Sequence, residues 1–289
     1  EGSEASVVRC KEALRSAIAR AGSRASASAG ARGAVAEAIN NLAAAADAAG
    51  ADGTGAESIV DTLTRDGGRW RLVFTTAPDV LFLLGLESLP APPGARVRVG
   101  NIDQVFVKDD AAPGAGAVYN EASFALPPLL ESATLRVRTD FSAAPSGRRL
   151  TLRFLEAAIT DLVPAPVLDA VLAPPLIPRM GSLGAIAAVY EKELTVPLLG
   201  AQDAGGALYP FLGGRLGGKG GKSSSDSGGS TDDSGAGSSS GRGAAQPGPG
   251  YLLLYADSDT FVGRQTDGAA GEFVFERVPQ TEAATDSEG

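Results

Sequence analysis

A chain of 289 residues with a net charge of −9 and no histidine excludes several functions at the outset. Nucleic-acid binding needs Lys and Arg clustered against phosphate, and an acidic chain leaves any membrane contact to apolar side chains. Without histidine there is no Ser-His-Asp or Cys-His catalysis and no His-ligated zinc, and the lone Cys10 makes no internal disulfide.

Hydrophobic residues make up 44% of the chain, enough for a core, and one β domain with additions is the simplest organisation at this length. No apolar run reaches the roughly 20 residues of a membrane-spanning helix. The first residue is Glu1 rather than Met, which reads as a processed or trimmed sequence with most of any targeting peptide removed.

The first expected element is a helix from Ser6 to about Ala21, on the helical spacing of Val7, Leu14, Ile18 and Ala21. Val35, Ile39, Leu42 and Ala46 predict a second, beyond a joint of small residues at 22–32. The two read as a pair of packing helices ahead of the β region. Neither polar face is rich in Lys, which disfavours a free lipid-surface helix.

Gly67 and Gly68 then turn the chain into alternation. In Gly68-Arg69-Trp70-Arg71-Leu72-Val73-Phe74-Thr75-Thr76 the residues Trp70, Leu72 and Phe74 share one face of an extended segment. The run Val80-Leu81-Phe82-Leu83-Leu84-Gly85-Leu86 is too short to span a bilayer. It reads as a buried short helix or, alternatively, as a lipid-facing patch.

Further strands are expected over 96–107 (bent at Gly100), 117–125, 133–141 and 149–155, separated by the turns Pro113-Gly114 and Pro145-Ser146-Gly147. From Asp161 to Met180 five prolines break the rhythm of an apolar stretch containing Leu172, Leu176 and Ile177, a second candidate for a lid or a lipid contact. Strand returns over 186–196. The Gly/Ser-rich stretch at 200–250 has too little apolar surface to offset ordering and is expected to be disordered. Within it, 213–219 imitates a phosphate-binding loop, but Gly220 comes after Lys219 where Ser or Thr is required. Three short strands close the chain at 251–256, 260–265 and 272–277. Asp257-Ser258-Asp259 is a hairpin turn rather than a metal loop, because it lacks the spaced oxygens and glycine of a calcium site.

Together these readings give a mainly β chain whose consecutive antiparallel strands close on themselves, behind an N-terminal helical segment. The domains are a helical region at 1–56, a barrel domain at 57–279 interrupted at about 200–250, and a disordered tail at 280–289. No carboxylate pair stands at a catalytic spacing; Glu121, Glu131 and Glu156 read as solvated or turn residues, so the chain is not expected to be an enzyme.

The Gly-x-Trp opening at Gly68 and Trp70 resembles lipocalin-type barrels, and the phrase from Trp70 to Thr76 resembles the plastid lipid-associated proteins, also called fibrillins or plastoglobulins. The end of the chain carries the same resemblance. Tyr251 to Arg264 with Gly271-Glu272-Phe273-Val274-Phe275 after it is similar to the family's Tyr-Leu-Asp-x-Asp turn, Ile-Gly-Arg strand and Gly-x-x-Phe-Val finish. Ala256, Val262 and Gln265 depart from that pattern. Val99 to Gln104 resembles the family's Val-Gly-x-Ile-x-Gln segment, and Asn120 and Phe124 match its Asn-x-Val-x-Phe strand loosely. The insertion at 200–250 departs from the family pattern.

The resemblance implies a lipocalin-like antiparallel β-barrel of the chloroplast, at plastoglobules or thylakoid membranes or in the stroma. It implies an apolar lipid ligand, a prenylquinone or carotenoid; the residues themselves lead to no expected cofactor or metal. A side-chain-filled coat protein of lipid droplets, or an accessory subunit to a plastid enzyme of prenyl-lipid synthesis, are the alternatives. Carried over by position, Trp70 closes one barrel end with Phe74 on the inner face. Asp257, Asp259 and Arg264 form a polar group near the other end, Arg264 pairing with an aspartate or stacking on Trp70, as a structural ion pair or as a grip on a ligand head group. Val80, Leu81, Phe82, Leu83, Leu84 and Leu86, with Leu172, Leu176 and Ile177, are the candidate membrane contacts.

Overall fold

The computed structural model describes residues 2–22, 24, 28–50, 55–92, 94–166, 194–197, 249–266 and 271–279. Within them the alternating segments form strands β1 (Arg69–Thr75), β2 (Arg98–Lys108), β3 (Ala115–Leu126), β4 (Leu130–Ala143), β5 (Arg149–Pro164), β6 (Leu194–Pro197), β7 (Gly250–Ala256), β8 (Thr260–Gln265) and β9 (Glu272–Arg277). Around the sheet β1 is succeeded by β2, β3, β4, β5, β7, β8 and β9, and β9 pairs back onto β1, so eight antiparallel strands close a ring. Strand β6 lies beyond β7 along the same edge of β5, against Glu156–Ile159. This is the mainly β, barrel-like fold behind an N-terminal helical segment that the sequence predicts.

The ring is lopsided. Strands β2 to β5 have 11, 12, 14 and 16 residues, whereas β1, β7, β8 and β9 have 7, 7, 6 and 6. At roughly 3.3 Å per residue one wall is about twice as long as the other. Helices α1 (Gly2–Ala21) and α2 (Ala29–Ala48) cover the outer face of the short wall. There Leu14, Val35, Ile39 and Leu42, each at most 1% exposed, meet Phe74, Val262 and Val274. Ser28 caps α2, its Oγ accepting from the Ala31 N–H at 3.2 Å.

Phe74 is a correction. It shares sequence parity with Trp70 and Leu72, yet it sits with the helices and not inside the ring. The β1–β9 register slips between Leu72, opposite Phe275, and Phe74, opposite Val274. That one-residue bulge moves Phe74 to the outer face.

Two further differences concern boundaries. Strand β5 runs on past Leu155 to Pro164, so 161–164 is strand and not part of a proline-broken crossing; pairing with β4 along its length, through three register slips, sustains it. Helix α3 (Ala56–Thr64) has no counterpart among the predicted elements. The remainder of the crossing with Leu172, Leu176 and Ile177, most of the strand expected at 186–196, nearly all of the Gly/Ser-rich stretch and the tail at 280–289 lie outside the described residues.

Candidate functional site

Antiparallel counting gives the ring two ends. At the first, α3 lies across the opening and inserts Ile59, Val60 and Leu63 into the core that also holds Trp70, Phe106, Phe141 and Phe261. A turn at Arg65–Gly68 carries the chain from α3 into β1. It requires glycine at Gly68, where φ is +63° and a Cβ would stand 2.2 Å from the Phe106 carbonyl oxygen. Trp70 is fully buried and donates its indole N–H to the Leu63 carbonyl at 2.8 Å. Arg277 lies over the indole face, 4.1 Å from the ring centroid. Its guanidinium also donates to the carbonyls of Thr62 (2.6 Å), Arg65 and Ser258, closing off carbonyls at the end of α3. Burial lowers the Arg277 pKa from its ordinary value.

The hairpin turn Asp257-Ser258-Asp259 belongs to this same end, which corrects its expected place opposite Trp70. The Arg277 N–H donates to the Asp259 carbonyl at 3.0 Å. One Asp257 oxygen accepts from the Asp259 and Thr260 amides at 3.0 and 2.8 Å, and the other from the Tyr255 hydroxyl and Lys11, both at 2.6 Å. Lys11 also bonds Asp259, and Arg15 bridges Asp259 and Glu276 at 3.1 Å each. Burial raises the Asp259 carboxyl, but the hydrogen bonds from Lys11 and Arg15 outweigh it and hold the group below the usual carboxylate range. Burial, then donation to Asp257, push the Tyr255 hydroxyl up. The turn is thus tied to α1.

Arg264 is at the other end, and it neither pairs with those aspartates nor stacks on Trp70. Its guanidinium bonds Glu272 at 2.6 Å and Asn40 of α2 at 3.2 Å, on the outer face of the ring. Inside the ring near Trp70, rings fill the space: Phe261 stacks on Phe275 at 5.2 Å between centroids, and Trp70, Phe106 and Tyr251 each meet Phe261 edge-on at 6.0 to 6.4 Å.

At this second end β1 leads through Ala77 into α4 (Pro78–Gly85) and a short turn of helix at Leu86–Ser88. Thr75 Oγ1 donates to the Glu272 carbonyl and accepts from the Ala77 N–H, both at 2.9 Å. Glu87 accepts from the Val99 N–H at 2.7 Å, tying the segment to β2. Leu84 is buried and Val80 packs on the interior core, whereas Leu81, Leu83 and Leu86 are half-buried and Phe82 is 47% exposed. The run is thus divided between the two readings its composition allows. Phe82, Leu89, Leu129 and Val163, four of the seven large hydrophobic residues exposed among the described residues, are on segments at this end.

Between the two ends the interior carries a polar layer absent from the expected site. Along β2 the inward residues run Phe106, Gln104, Ile102; along β3 Val118, Asn120, Ala122; along β4 Phe141, Thr139, Val137. Each series passes from an apolar residue near α3, through a polar one, to an aliphatic one nearer α4. Gln104 Nε2 donates to Asn120 Oδ1 at 2.8 Å and to the Tyr251 hydroxyl at 3.0 Å, and Asn120 Nδ2 approaches Thr139 Oγ1 at 3.5 Å. Gln104 Oε1 is buried with no partner among the described residues. The signal is present in the sequence, as a glutamine at inward parity between Ile102 and Phe106.

The carboxylates weighed as possible acids or bases are engaged or exposed. Glu121 is held by Arg69 and Arg136 at 2.9 Å each, and Glu156 lies 3.7 Å from Arg138. Glu131 is exposed. Among the described residues no group of three acidic or cysteine side chains could hold a metal ion, and no helix is long and apolar enough to cross a membrane.

The architecture is that of a closed antiparallel sheet, plugged at one end and apolar at the other. Over 159 residues the chain is 32% identical to the probable plastid-lipid-associated protein 10, chloroplastic, of Arabidopsis thaliana. The match covers 52% of this chain and 53% of that protein, so the chain spans about half the length of the curated relative it matches. No family model and no solved structure matches. The similarity supports the plastid lipid-associated relationship at a coarse level.

Proposed function

We propose that this is a non-catalytic lipid-associated protein of the chloroplast that binds or shields apolar prenyl lipids, carotenoids or quinones, at plastoglobules or thylakoid membranes. The observation that carries the reading is the gathering of Phe82, Leu89, Leu129 and Val163 at the α4 end, opposite the plugged end. On an acidic chain such a surface meets a lipid through apolar contact and not through charge. The name of the Arabidopsis relative points the same way. The candidate contacts Val80, Leu81, Leu83, Leu84 and Leu86 then serve as the support on which Phe82 is held outward. Phe74, Asp257, Asp259 and Arg264, placed on the outer face or in a hairpin turn, serve the scaffold in this reading, and Trp70 closes the far end.

Flotation with a neutral-lipid emulsion tests the proposal. The double variant Phe82→Asp/Leu89→Asp is expected to stay in the aqueous fraction while wild type floats. Val107→Asp, an equally exposed substitution on β2 at the α3 end, is expected to float as wild type does. Equal flotation of all three would end the proposal.

The ring packing around Phe261 favours a second reading, a coat protein whose interior holds no cargo. Mass spectrometry of organic extracts from gently purified protein separates the two. A stoichiometric prenyl lipid speaks for carriage, and empty protein that still floats speaks for the coat.

A further inference from the structure

The polar layer crossing the interior is the least explained feature of the ring. Burying an amide inside an apolar core is unfavourable unless each polar atom finds a partner. Here the partners are nearly all supplied. Gln104 Nε2 has two acceptors, in Asn120 and Tyr251, and Asn120 turns its own amide toward Thr139. The exception is Gln104 Oε1, on a residue only 4% exposed, which accepts from no group among the described residues. A carbonyl oxygen is an acceptor alone, so what it lacks is a donor.

The inward residues on the two sides of the layer differ in kind. Toward α3 are the rings of Phe106 and Phe141, packed edge-on at 5.5 Å. Toward α4 are Ile102, Ala122 and Val137, aliphatic and in part small, on the walls leading to the end where Phe82 and Leu89 are exposed. Counted inward from that end, the aliphatic residues come first and the orphan oxygen of Gln104 comes after them. From this order we infer that the ring takes an amphiphile with a hydrocarbon body and one hydroxyl donor at its head, and that Gln104 Oε1 accepts the hydroxyl hydrogen, with Asn120, Thr139 and Tyr251 fixing the glutamine amide. The inference rests on the lipid-binding reading above and narrows it to hydroxyl-bearing lipids, against pure hydrocarbons and head groups that only accept. Gln104 is here a binding residue, and no bond is made or broken.

The test compares three probes with the same octylphenyl body, 4-octylphenol, 4-octylanisole and octylbenzene, by isothermal titration calorimetry against the full chain. The anisole keeps the oxygen but has a methyl group in place of the donor hydrogen. Octylbenzene, smaller than the phenol, lacks the oxygen altogether, so a preference for the phenol over both cannot come from head-group size alone. Wild type is expected to bind the phenol about tenfold more tightly than the other two, since a site that satisfies a buried polar group discriminates against ligands that leave it unpaired. Gln104→Leu, which keeps the bulk and removes the acceptor, is expected to bring the three affinities together. Gln104→Met provides the same comparison if the leucine variant fails to fold, and the wild-type preference is informative without either.

Equal affinities for phenol and anisole in wild type would overturn the inference and leave lipid binding standing, with an internal water as the partner of Gln104. A phenol preference that survives in both variants would overturn it as well. No binding of any probe, with flotation retained, would overturn both the inference and internal carriage, leaving the coat reading.

Discussion

The two ends of the ring are built from the same alternating strands and differ in what satisfies them. At the α3 end the polar groups have protein partners: the indole of Trp70 has Leu63, Arg277 has three carbonyls, and the Asp257–Asp259 turn has Lys11 and Arg15. At the α4 end, Phe82 and Leu89 stand out from the surface, and buried side-chain oxygens of Gln265 and Thr266, at the end of β8, are unpaired among the described residues. The unpaired oxygen of Gln104, opposite Trp70 in the β1–β2 register, lies between the two ends. One end stabilises the fold, and the other keeps the surface on which the proposed function rests.

The comparison breaks most severely if Trp70 is truncated. Trp70→Ala removes the largest fully buried side chain among the described residues, together with the hydrogen bond to Leu63 and the surface beneath Arg277. The expected loss is about 3–5 kcal/mol, read as a fall in the denaturant midpoint. Any loss of bound lipid in this variant then reports unfolding and not a missing contact. A midpoint within about 0.5 kcal/mol of wild type would mean that the α3 end is not the stabilising one.

A smaller effect is expected at Arg277. Arg277→Met keeps an apolar chain over the indole but leaves the carbonyls of Thr62, Arg65 and Ser258 without their donor. Because that region is partly exposed, water replaces some of the bonds, and about 1–3 kcal/mol is expected. Hydrogen exchange sharpens the test. The amides of α3 should lose protection before those of β3 and β4, whereas simultaneous loss would show that α3 is no separate plug.

Much of this contrast is legible in the sequence, and the failures share a cause. Parity alone places Trp70 and Leu72 inward, and β7, β8 and β9 begin and end within a residue of the expected positions. Parity misplaces Phe74 because a bulge reverses it, and none of the residues 72–74 signals one. Helix α3 escapes a sequence reading because its nine residues, between glycine-rich joints, are too short to establish a helical period. The Asp257–Asp259 turn reads correctly as a hairpin but is expected at the wrong end. Its position depends on tracing the direction of eight strands, which no local pattern reveals. Arg264 finds unexpected partners for the same reason, since Glu272 and Asn40 meet it only after β9 and α2 are in place.

The smallest expected effect concerns pH. Asp259 has its carboxyl held below the usual carboxylate range, burial working against this and the bonds from Lys11 and Arg15 for it. In the unfolded chain the same group titrates near about 4. A depressed folded value means that the contribution is fully present above about pH 4 and is lost as pH falls from there through the folded value. Acidification should therefore loosen α1 from the β7–β8 turn before the ring opens. The carboxylate is about half exposed, so solvent screens the pair and the whole effect is expected to be at most about 1 kcal/mol. Asp259→Asn is the control, because it keeps the shape and removes the titration. Below pH 4 the stability of wild type should fall toward that of the variant, and the difference between them should grow and level off above it. A constant difference across that range would show that the link from α1 to the plugged end depends on packing against Phe74, Val262 and Val274, and not on charge.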